Sequence, residues 1–346
     1  RIVAGDPPSA SQIKGPTIQE YDQEGVVAPY NIDSIAQSEG WDSLLDPMIA
    51  AVHKCQNNSG PYCAAPVNIH RIDWIWANKV VFDENGLSMP TTWDELNAAA
   101  DKLQAAGIIP FAHGGQAWQD ATVFEAVAMG IGGNNYYKNC YVKLEEACLR
   151  SETTVKVFDQ MRKLQGYTDP GSPGRDWNVA TGMVIEGKAG FQIMGDWAKG
   201  EFTAAGKSPG WDYMCSPTPS NNGYLYNVDS FIFYKTSDPD KQAGQKLLAK
   251  LMMGKNFQKV FNLYKGSIPA RLDVPMDEFD DCAKASNADI KTAGAKGGLV
   301  PSFAHGMAQG NTMKAALQDI ITEHFNSDMS SVDAANALAD SVLANM

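Results

Sequence analysis

The sequence predicts an α/β fold of two domains, and three observations lead to this prediction. Short apolar segments that suit strands alternate along the chain with longer amphipathic segments that suit helices. The run Ala189–Met194 is almost continuously apolar, which is typical of a strand covered on both faces. The chain has 346 residues, more than a single hydrophobic core usually accommodates.

The stretch after Ala189–Met194 places an aromatic residue where α/β proteins bind ligands. The strand ends at Gly195, and we predict that Asp196 caps a following helix, because its carboxylate can accept hydrogen bonds from the first turn. Trp197 then lies just past the carboxyl end of a buried strand, which is where open α/β sheets bind ligands. Trp197 is therefore either a core residue at this junction or part of a binding surface.

The helices are predicted from their amphipathic spacing and their end signals. Thr17 and Glu20 have the spacing of a capping box, Thr91 or Thr92 precedes a long amphipathic segment, and Gly107 follows it. The predicted helices are Thr17–Glu24, Trp41–His53, Trp93–Ala106, Ala121–Met129, Thr153–Leu164, Val179–Glu186, Asp240–Asn262, Ala283–Lys296, Asn311–His324 and Val332–Ala344.

Strands and loops fill the intervals between these helices. Segments rich in Pro and Gly predict loops, since these residues favour turns. The predicted strands are Ala65–Ile75, Ile108–Ala112, Ala189–Met194 and Leu225–Tyr234. The predicted loops include Pro7–Pro16, Gly166–Asp176, Ser216–Gly223 and Pro301–Gly310.

The charge balance excludes two classes of partner. The net charge is −12 and the sequence pI is about 4.9. Nucleic acids and anionic lipid surfaces both select basic proteins, so we expect neither as a partner. No apolar run approaches the roughly 20 residues of a membrane-spanning helix. We read residue 1 as mature sequence and residues 1–5 as the end of a helix, and we expect an N-terminal segment to be missing.

The six cysteines are even in number and contain no C-x-x-C pair. Zinc binding and thioredoxin-like chemistry are therefore disfavoured. Buried free thiols are one interpretation. We favour three disulfides, which pair the cysteines spaced by eight and leave a long-range bridge, and which place the protein in an oxidising compartment. The three pairs are Cys55–Cys63, Cys140–Cys148 and Cys215–Cys282.

Asp229 is the polar residue whose position most needs an explanation. It lies inside the apolar run Leu225–Tyr234, where a carboxylate is costly unless it is paired or hydrogen-bonded. It is either tied to backbone N–H groups or an acceptor for ligand hydroxyls. Lys265 and His305 lie in turns and, judged by their surroundings alone, would be ordinary surface residues. Trp74 and Trp76 alternate with Ile75 and are predicted to pack in a core.

Six segments spread over almost the whole chain carry a family resemblance: PPSASQIKGP at 7–16, AAPVNIHR at 64–71, KAGFQIMGDWAKGEF at 188–202, LYNVDSF at 225–231, YKGSIPAR at 264–271 and PSFAHGM at 301–307. In these segments the chain resembles family 1 extracellular solute-binding proteins, the sugar receptors of ATP-driven importers, and especially the glucose-binding proteins of Gram-negative bacteria. The resemblance implies a two-lobe periplasmic-binding-protein fold with the ligand cleft between the lobes.

The resemblance also implies lobe boundaries, a location and partners. Lobe one would comprise 1–67 and 218–284, and lobe two 68–217 and 285–346. The protein would be a periplasmic monomer that delivers its ligand to the membrane permease subunits of an importer. Related receptors begin with a strand that bears aromatic residues facing the sugar, which is the segment that we expect to be missing.

A sugar site needs rings to cover its C–H faces and polar groups to bind its hydroxyls. Trp197 is the predicted stacking platform, and Asp229 the predicted acceptor. The matching segments imply that Lys265, His305 and Lys14 contact the sugar. Two further candidates are Gln12, which neighbours Lys14, and His70, for which a structural hydrogen-bonding role is the alternative.

The predicted function is therefore reception of a monosaccharide, with glucose or a close epimer as the first expectation. A disaccharide or a sugar acid is the alternative ligand, since Lys14 and Lys265 would tolerate a carboxylate. A glycan-acting enzyme is the remaining alternative, but the sequence lacks an H-E-x-x-H motif. We expect no enzymatic activity, no cofactor and no metal.

Overall fold

The structure is a computed structural model that describes residues 6–26, 29–220 and 223–346. The predicted helix end at residues 1–5 lies outside the described residues. The strands are β1 (Ala10–Ile13), β2 (Ala64–Pro66), β3 (His70–Arg71), β4 (Trp74–Asn78), β5 (Ile109–Phe111), β6 (Ala189–Ile193), β7 (Tyr213–Pro217), β8 (Tyr224–Asn227), β9 (Ser230–Phe233) and β10 (Leu299–Pro301).

Helices form the larger part of the described chain. They are α1 (Thr17–Gln23), α2 (Pro29–Glu39), α3 (Trp41–Leu44), α4 (Pro47–Val52), α5 (Cys55–Asn58), α6 (Lys79–Glu84), α7 (Trp93–Ala105), α8 (Ala117–Tyr137), α9 (Glu146–Leu149), α10 (Glu152–Gln165), α11 (Trp177–Ile185), α12 (Ala198–Ala204), α13 (Pro239–Met252), α14 (Lys255–Lys265), α15 (Asp281–Ala295), α16 (Asn311–Asn326) and α17 (Ser331–Ala344). A π-helical turn, Lys138–Val142, follows α8.

The chain divides into two compact units. Unit 1 comprises Arg1–His70, Asn227–Phe279 and Gly306–Gly310, and unit 2 comprises Arg71–Tyr226, Asp280–His305 and Asn311–Met346. The unit boundaries after 70, 226 and 279 lie three, nine and five residues from the predicted lobe boundaries after 67, 217 and 284. The lobe assignment itself stays a prediction.

Unit 1 is built around the antiparallel sheet β1-β9-β2, in which β9 is the central strand. Ile232 of β9 lies opposite Ser11 and Ala64. Ile13, Ile18 and Tyr234 are among the residues of its buried core. The segment between β8 and β9, which contains Asp229, is therefore fixed by the central strand of this unit.

Unit 2 contains the sheet β5-β6-β4-β7, in which β6 runs parallel to β5 and antiparallel to β4. All five residues of β6 are buried, as the apolar run Ala189–Met194 predicted. Trp74 and Trp76 pack in the core with ring centroids 5.7 Å apart, which confirms their predicted role. The carboxyl end of β6 leads directly into the segment that carries Trp197.

Several local predictions were wrong, among them the helix Trp41–His53, which is divided into α3 and α4 by the extended Leu45, and the strand Leu225–Tyr234, which is divided into β8 and β9. The predicted loop Pro7–Pro16 contains β1, because hydrogen bonds to β9 outweigh its turn-forming residues. The predicted strand Ala65–Ile75 is divided into β2, β3 and the start of β4. Helix α1 has Pro16 at its N-cap and no side-chain cap, so the Thr17–Glu20 capping box does not form. The predicted helix Asp240–Asn262 is interrupted at Gly254, the extended N-cap of α14.

Other local predictions are confirmed. Thr92 caps α7 in a complete capping box with Glu95. The three predicted disulfides are present: Cys55–Cys63 in unit 1, and Cys140–Cys148 and Cys215–Cys282 in unit 2. None of the helices in the described part of the chain combines the length and the apolar character that a membrane-spanning helix requires.

Candidate functional site

A buried carboxylate organises the polar cluster of unit 1. Asp229 lies between β8 and β9 and is 4% exposed. Asn68 fixes it from both sides, because the Asp229 backbone N–H donates to Asn68 Oδ1 at 2.9 Å and Asn68 Nδ2 donates to Asp229 Oδ2 at 3.1 Å. The Asp229 carbonyl also accepts from the backbone N–H of Val67 at 2.9 Å. The carboxylate therefore has a fixed position and orientation.

Three nitrogen-bearing side chains surround this carboxylate. His70 Nε2 lies 3.0 Å from Asp229 Oδ2, and Lys14 Nζ lies 3.3 Å from Oδ1. Lys265 Nζ is more distant, at 4.0 Å from Oδ2. Lys14 follows β1, and Lys265 is the last residue of α14, where Gly266 turns the chain in a left-handed conformation. Residues far apart in the sequence thus meet at one carboxylate, and their predicted contact with a sugar stays a prediction.

The surroundings of Asp229 determine its ionisation. Burial alone would raise the pKa of its carboxyl group, but His70, Lys14 and Lys265 outweigh that effect and hold the pKa well below its usual range. The carboxylate is therefore ionised at neutral pH. Its Oδ1 atom accepts no hydrogen bond from the described residues, although the Lys14 ammonium lies beside it. This oxygen has unused capacity to accept from a hydroxyl.

Two of the weaker candidates differ in their relation to this cluster. His70 is 2% exposed and bonds to Asp229, so its structural hydrogen-bonding role is established. Gln12 lies in β1 opposite Phe231 with an exposed side chain, and it makes none of the Asp229 contacts described above. The structure therefore brings together Lys14, His70, Asp229 and Lys265.

A second cluster, in unit 2, is aromatic. The Trp197 ring centroid lies 4.9 Å from that of His305 and 6.3 Å from that of Trp118. The rings of Trp118 and His305 meet edge to face at 5.8 Å. All three side chains are half-buried. Trp197 is thus neither a fully covered core residue nor an isolated surface ring, and it offers the kind of aromatic surface that stacking requires.

The segment before Trp197 is held by backbone pairing rather than by helix capping. The Asp196 N–H donates to the carbonyl of Arg71, and the Arg71 N–H donates to Asp196 Oδ2, both at 2.9 Å. Helix α12 has Trp197 at its N-cap without a side-chain cap bond, so the predicted cap by Asp196 is wrong. A Cβ on Gly195 would come within 2.2 Å of the Trp197 ring, and glycine there lets the indole lie close to the chain.

Helix α8 positions His305. Thr122 Oγ1 donates to the Trp118 carbonyl at 2.7 Å and lies 2.9 Å from His305 Nε2. Because the single hydroxyl proton is already used, Thr122 must accept from His305, so Nε2 carries a proton. Neither Trp118 nor Thr122 was predicted as a site residue. The available signal was the spacing of Trp118 and Thr122 by four, which places them on one face of a helix.

Two further polar side chains have structural roles in unit 2. His113 is buried, and its Nε2 lies 2.7 Å from Asp120 Oδ1, so it belongs to the core and not to a binding surface. Lys199 is also buried, and its Nζ lies 3.0 Å from Asp280 Oδ2. The carboxylate compensates for the free-energy cost of burying the ammonium group.

Comparison with known proteins identifies the family. The model for bacterial extracellular solute-binding proteins matches residues 1–252, and the chain belongs to this family. It is 44% identical over 343 residues to a probable sugar-binding periplasmic protein of Brucella suis biovar 1 (strain 1330), covering 99% of this chain and 80% of that protein. A protein of the same description from Rhizobium meliloti (strain 1021) is 43% identical, with coverage of 99% and 81%.

A solved structure shows the same fold. The bacterial solute receptor AcbH, described as having an exclusive substrate preference for b-D-galactopyranose, superimposes with a TM-score of 0.80 at 18% identity, over 99% of this chain and 86% of that one. The predicted α/β fold of the two-lobe periplasmic-binding proteins is thereby confirmed. The predicted periplasmic location is confirmed by the relatives, which are named as periplasmic proteins.

Proposed function

We propose that this chain is a receptor that binds a monosaccharide, with glucose as the first candidate, and delivers it to an importer. The observation that carries the proposal is the ionised, buried carboxylate of Asp229 among Lys14, His70 and Lys265. The names of the Brucella and Rhizobium relatives support a sugar as the ligand. The choice of glucose rests on the resemblance of individual segments to glucose-binding proteins.

The polar cluster of unit 1 suits sugar hydroxyls. Each hydroxyl can donate one hydrogen bond and accept others, so it is best bound by an acceptor next to donors. Asp229 provides the acceptor, and the ammonium groups of Lys14 and Lys265 provide donors. Charge-assisted hydrogen bonds of this kind are roughly twice as strong as neutral ones. A sugar hydroxyl that donates to Asp229 and accepts from a lysine would partly replace the ion pair between these two side chains.

The aromatic cluster of unit 2 suits the C–H face of a sugar ring. Trp197 offers apolar area without demanding a hydrogen bond from the ligand at its ring face. His305 beside it adds a polar ring at 4.9 Å. The contribution of each cluster can be tested by a substitution of its own.

We also propose that the protein is not an enzyme. A glycosidase needs one carboxylic acid with a raised pKa that protonates the leaving group. The pKa of Asp229 is held well below its usual range, so Asp229 accepts hydrogen bonds and does not act as this acid, and the carboxyl group of Glu125, whose pKa burial raises to about 7, is completely buried. We expect no release of reducing sugar when the protein is incubated with oligosaccharides.

The proposed partners are the membrane permease subunits of an ATP-driven importer, and the proposed state is a monomer. Binding to a solute receptor can drive transport only if the ligand-bound form is distinguished from the empty one. Ligand contacts that favour one conformation of the receptor would provide this distinction.

Calorimetric titration with glucose, galactose, maltose and glucuronate tests the ligand class. We expect micromolar binding of one hexose, which corresponds to about −8 kcal/mol. Tighter binding of glucuronate or maltose would replace the monosaccharide by the alternative ligands. Absence of binding to all four would contradict the proposal. The variants Asp229→Asn and Trp197→Ala complete the test. Each should bind the preferred sugar more weakly than the parent protein.

A further inference from the structure

One face of α8 is directed at the segment that carries His305. Trp118, Thr122 and Glu125 follow one another at intervals of four and three residues, which places them on a single face of the helix. Trp118 contacts the His305 ring, and Thr122 bonds to its Nε2. Glu125, one turn further along, is completely buried in a stretch of otherwise apolar residues.

The carboxylate of Glu125 binds the chain immediately before His305. Its Oε2 accepts from the backbone N–H groups of Phe303 at 3.1 Å and Ala304 at 3.3 Å. Its Oε1 accepts from the Ser302 hydroxyl at 2.6 Å, and the same hydroxyl oxygen accepts from the His305 N–H at 3.0 Å. Four consecutive residues are therefore held, directly or through one hydroxyl, by a single side chain.

Tyr137, at the end of α8, completes this arrangement. Its hydroxyl donates to Glu125 Oε2 at 2.9 Å and accepts from the Phe303 N–H at 3.1 Å. Glu125 forms no ion pair with a described basic residue, so all of its partners are neutral donors. Glu125 and Tyr137 thus hold the segment 302–304, and Thr122 bonds to the ring of His305.

From this geometry we infer that Glu125 is a positioning residue, which anchors the segment Ser302–His305 and thereby fixes the His305 ring beside Trp197 for ligand binding. The inference rests on the proposed function, because it assigns to Glu125 a role in the same candidate site. Glu125 acts through the segment that bears His305, by its bonds to Ser302, Phe303 and Ala304.

The chemistry of Glu125 agrees with an anchoring role and not with simple core packing. A buried carboxyl group is costly, and a residue of similar size without charge would fill the same space at lower cost. Burial raises the pKa of Glu125 to about 7, although the hydrogen bonds from Ser302, Tyr137, Ala304 and Phe303 oppose that effect. Only a side chain with two acceptor oxygens can serve the donors of Ser302, Phe303 and Ala304 together.

Amide hydrogen exchange and sugar titration on the full chain test the inference. In Glu125→Ala we expect the Ala304 amide to exchange at least ~50-fold faster, because its acceptor is gone, and the Phe303 amide to exchange faster by a smaller factor, because the Tyr137 hydroxyl still accepts from it. We expect the Kd for glucose to rise about tenfold as His305 loses its fixed position. Glu125→Gln, which keeps one acceptor oxygen, should give intermediate values for both quantities and guards against misfolding of the alanine variant.

The matched control is Asn97→Ala, which removes the reciprocal bonds between the buried side chains of Asn97 and Gln160 elsewhere in unit 2. It should change neither the Phe303 and Ala304 exchange rates nor the Kd. Unchanged exchange in Glu125→Ala, or faster exchange with a Kd within twofold of the parent, would overturn the inference. If the parent protein binds no sugar, the proposed function fails, and the exchange rates still decide whether Glu125 anchors the segment.

Discussion

The clusters of unit 1 and unit 2 differ in how their side chains are held in place. In unit 1 a carboxylate is surrounded by Lys14, His70 and Lys265, and its charge state is fixed by these neighbours. In unit 2 the rings of Trp118, Trp197 and His305 contact one another, and neutral hydrogen bonds hold the rings of His305 and Trp118. The first arrangement depends on charge, and the second depends on shape.

This difference indicates a division of roles between the two units. Buried charges bind hydroxyls strongly but only at defined distances and angles. Aromatic faces provide attraction over a broad area, worth about 0.5–1.5 kcal/mol per ring pair beyond area burial. Substitutions in unit 1 should therefore change affinity more than substitutions in unit 2, and four predictions test this comparison.

The largest effect is expected for Asp229→Asn in unit 1. The substitution keeps the shape of the side chain but removes its charge, so hydrogen bonds from ligand hydroxyls to this side chain become neutral ones and the ion pairs with the two lysines are lost. Hydrogen bonds to charged groups contribute about 1.5–3 kcal/mol each. We expect the Kd for glucose, measured by calorimetry, to rise about 100-fold, which corresponds to about 3 kcal/mol.

Asp273→Asn is the matched control for Asp229→Asn. Asp273 is also a carboxylate of unit 1 with two basic neighbours, Arg271 and Lys255, but it is more exposed. Asp273→Asn should change the Kd for glucose by less than twofold. A Kd for Asp229→Asn within threefold of the parent would show that charge is not what distinguishes the unit 1 cluster.

Acidification should reduce the stability of both units, because each contains a buried histidine. Burial lowers the pKa of His53 in unit 1 and of His324 in unit 2 to about 4. The unfolded chain, with a histidine pKa near 6.5, binds more protons between these values. The stabilisation is complete above about pH 6.5 and is lost as the pH falls towards 4. For His53 alone we expect a loss of about 2 kcal/mol between pH 7 and 5.

Urea denaturation at pH 7 and pH 5 measures this effect. His324→Leu should reduce the pH dependence without removing a hydrogen bond, since neither ring nitrogen of His324 has a hydrogen-bond partner among the described residues. His53 lies within hydrogen-bond distance of the Ile49 carbonyl and of Ser230, so His53→Leu should also cost stability at pH 7. If the unfolding midpoint of the parent protein is the same at both pH values, the lowered pKa values of His53 and His324 do not control its stability.

In unit 2, Trp197→Ala should weaken glucose binding about tenfold, or about 1.4 kcal/mol, because one stacking surface is lost. The matched control is Trp211→Ala, which removes an 83% exposed indole of the same unit and should leave the Kd unchanged. A loss larger than that of Asp229→Asn would reverse the comparison between the two units and make the aromatic cluster the main source of affinity.

The sequence predicted the polar cluster better than the aromatic one, and the reason is physical. A carboxylate inside an apolar strand segment conflicts with its surroundings, so Asp229 is visible without a structure. Trp118 and Thr122 conflict with nothing in a helix, and Glu125 becomes informative only when its bonds to 302–304 are seen. Asn68, which holds Asp229 from both sides, gave no signal either, because its contact depends on tertiary structure.

The fold shows the same distinction between local and long-range determinants. The buried strand β6 and the Thr92 capping box follow from short patterns, and both were predicted. Strand β1 could not be predicted from its Pro- and Gly-rich surroundings, because its hydrogen bonds are to β9, more than 200 residues away. The disulfide Cys215–Cys282 was predicted only as the pair that remained after the two local bridges.

The smallest effect is expected for Lys265→Met. This variant tests whether the contribution of a lysine in unit 1 to affinity falls with its distance from Asp229. Lys265 lies 4.0 Å from Asp229 and its side chain is 40% exposed, whereas Lys14 lies at 3.3 Å and is 29% exposed. Exposed ion pairs are screened by water and contribute about 0–1 kcal/mol, so we expect the Kd for glucose to rise about threefold. Lys259→Met in the same helix, whose ammonium pairs with Glu278, should have no effect on the Kd. Lys14→Met should raise the Kd more than Lys265→Met, because the Lys14 ammonium lies beside the Asp229 oxygen that accepts no hydrogen bond. Equal increases in Kd for the two variants would mean that contact with the ligand, and not the distance to Asp229, determines the contribution of each lysine.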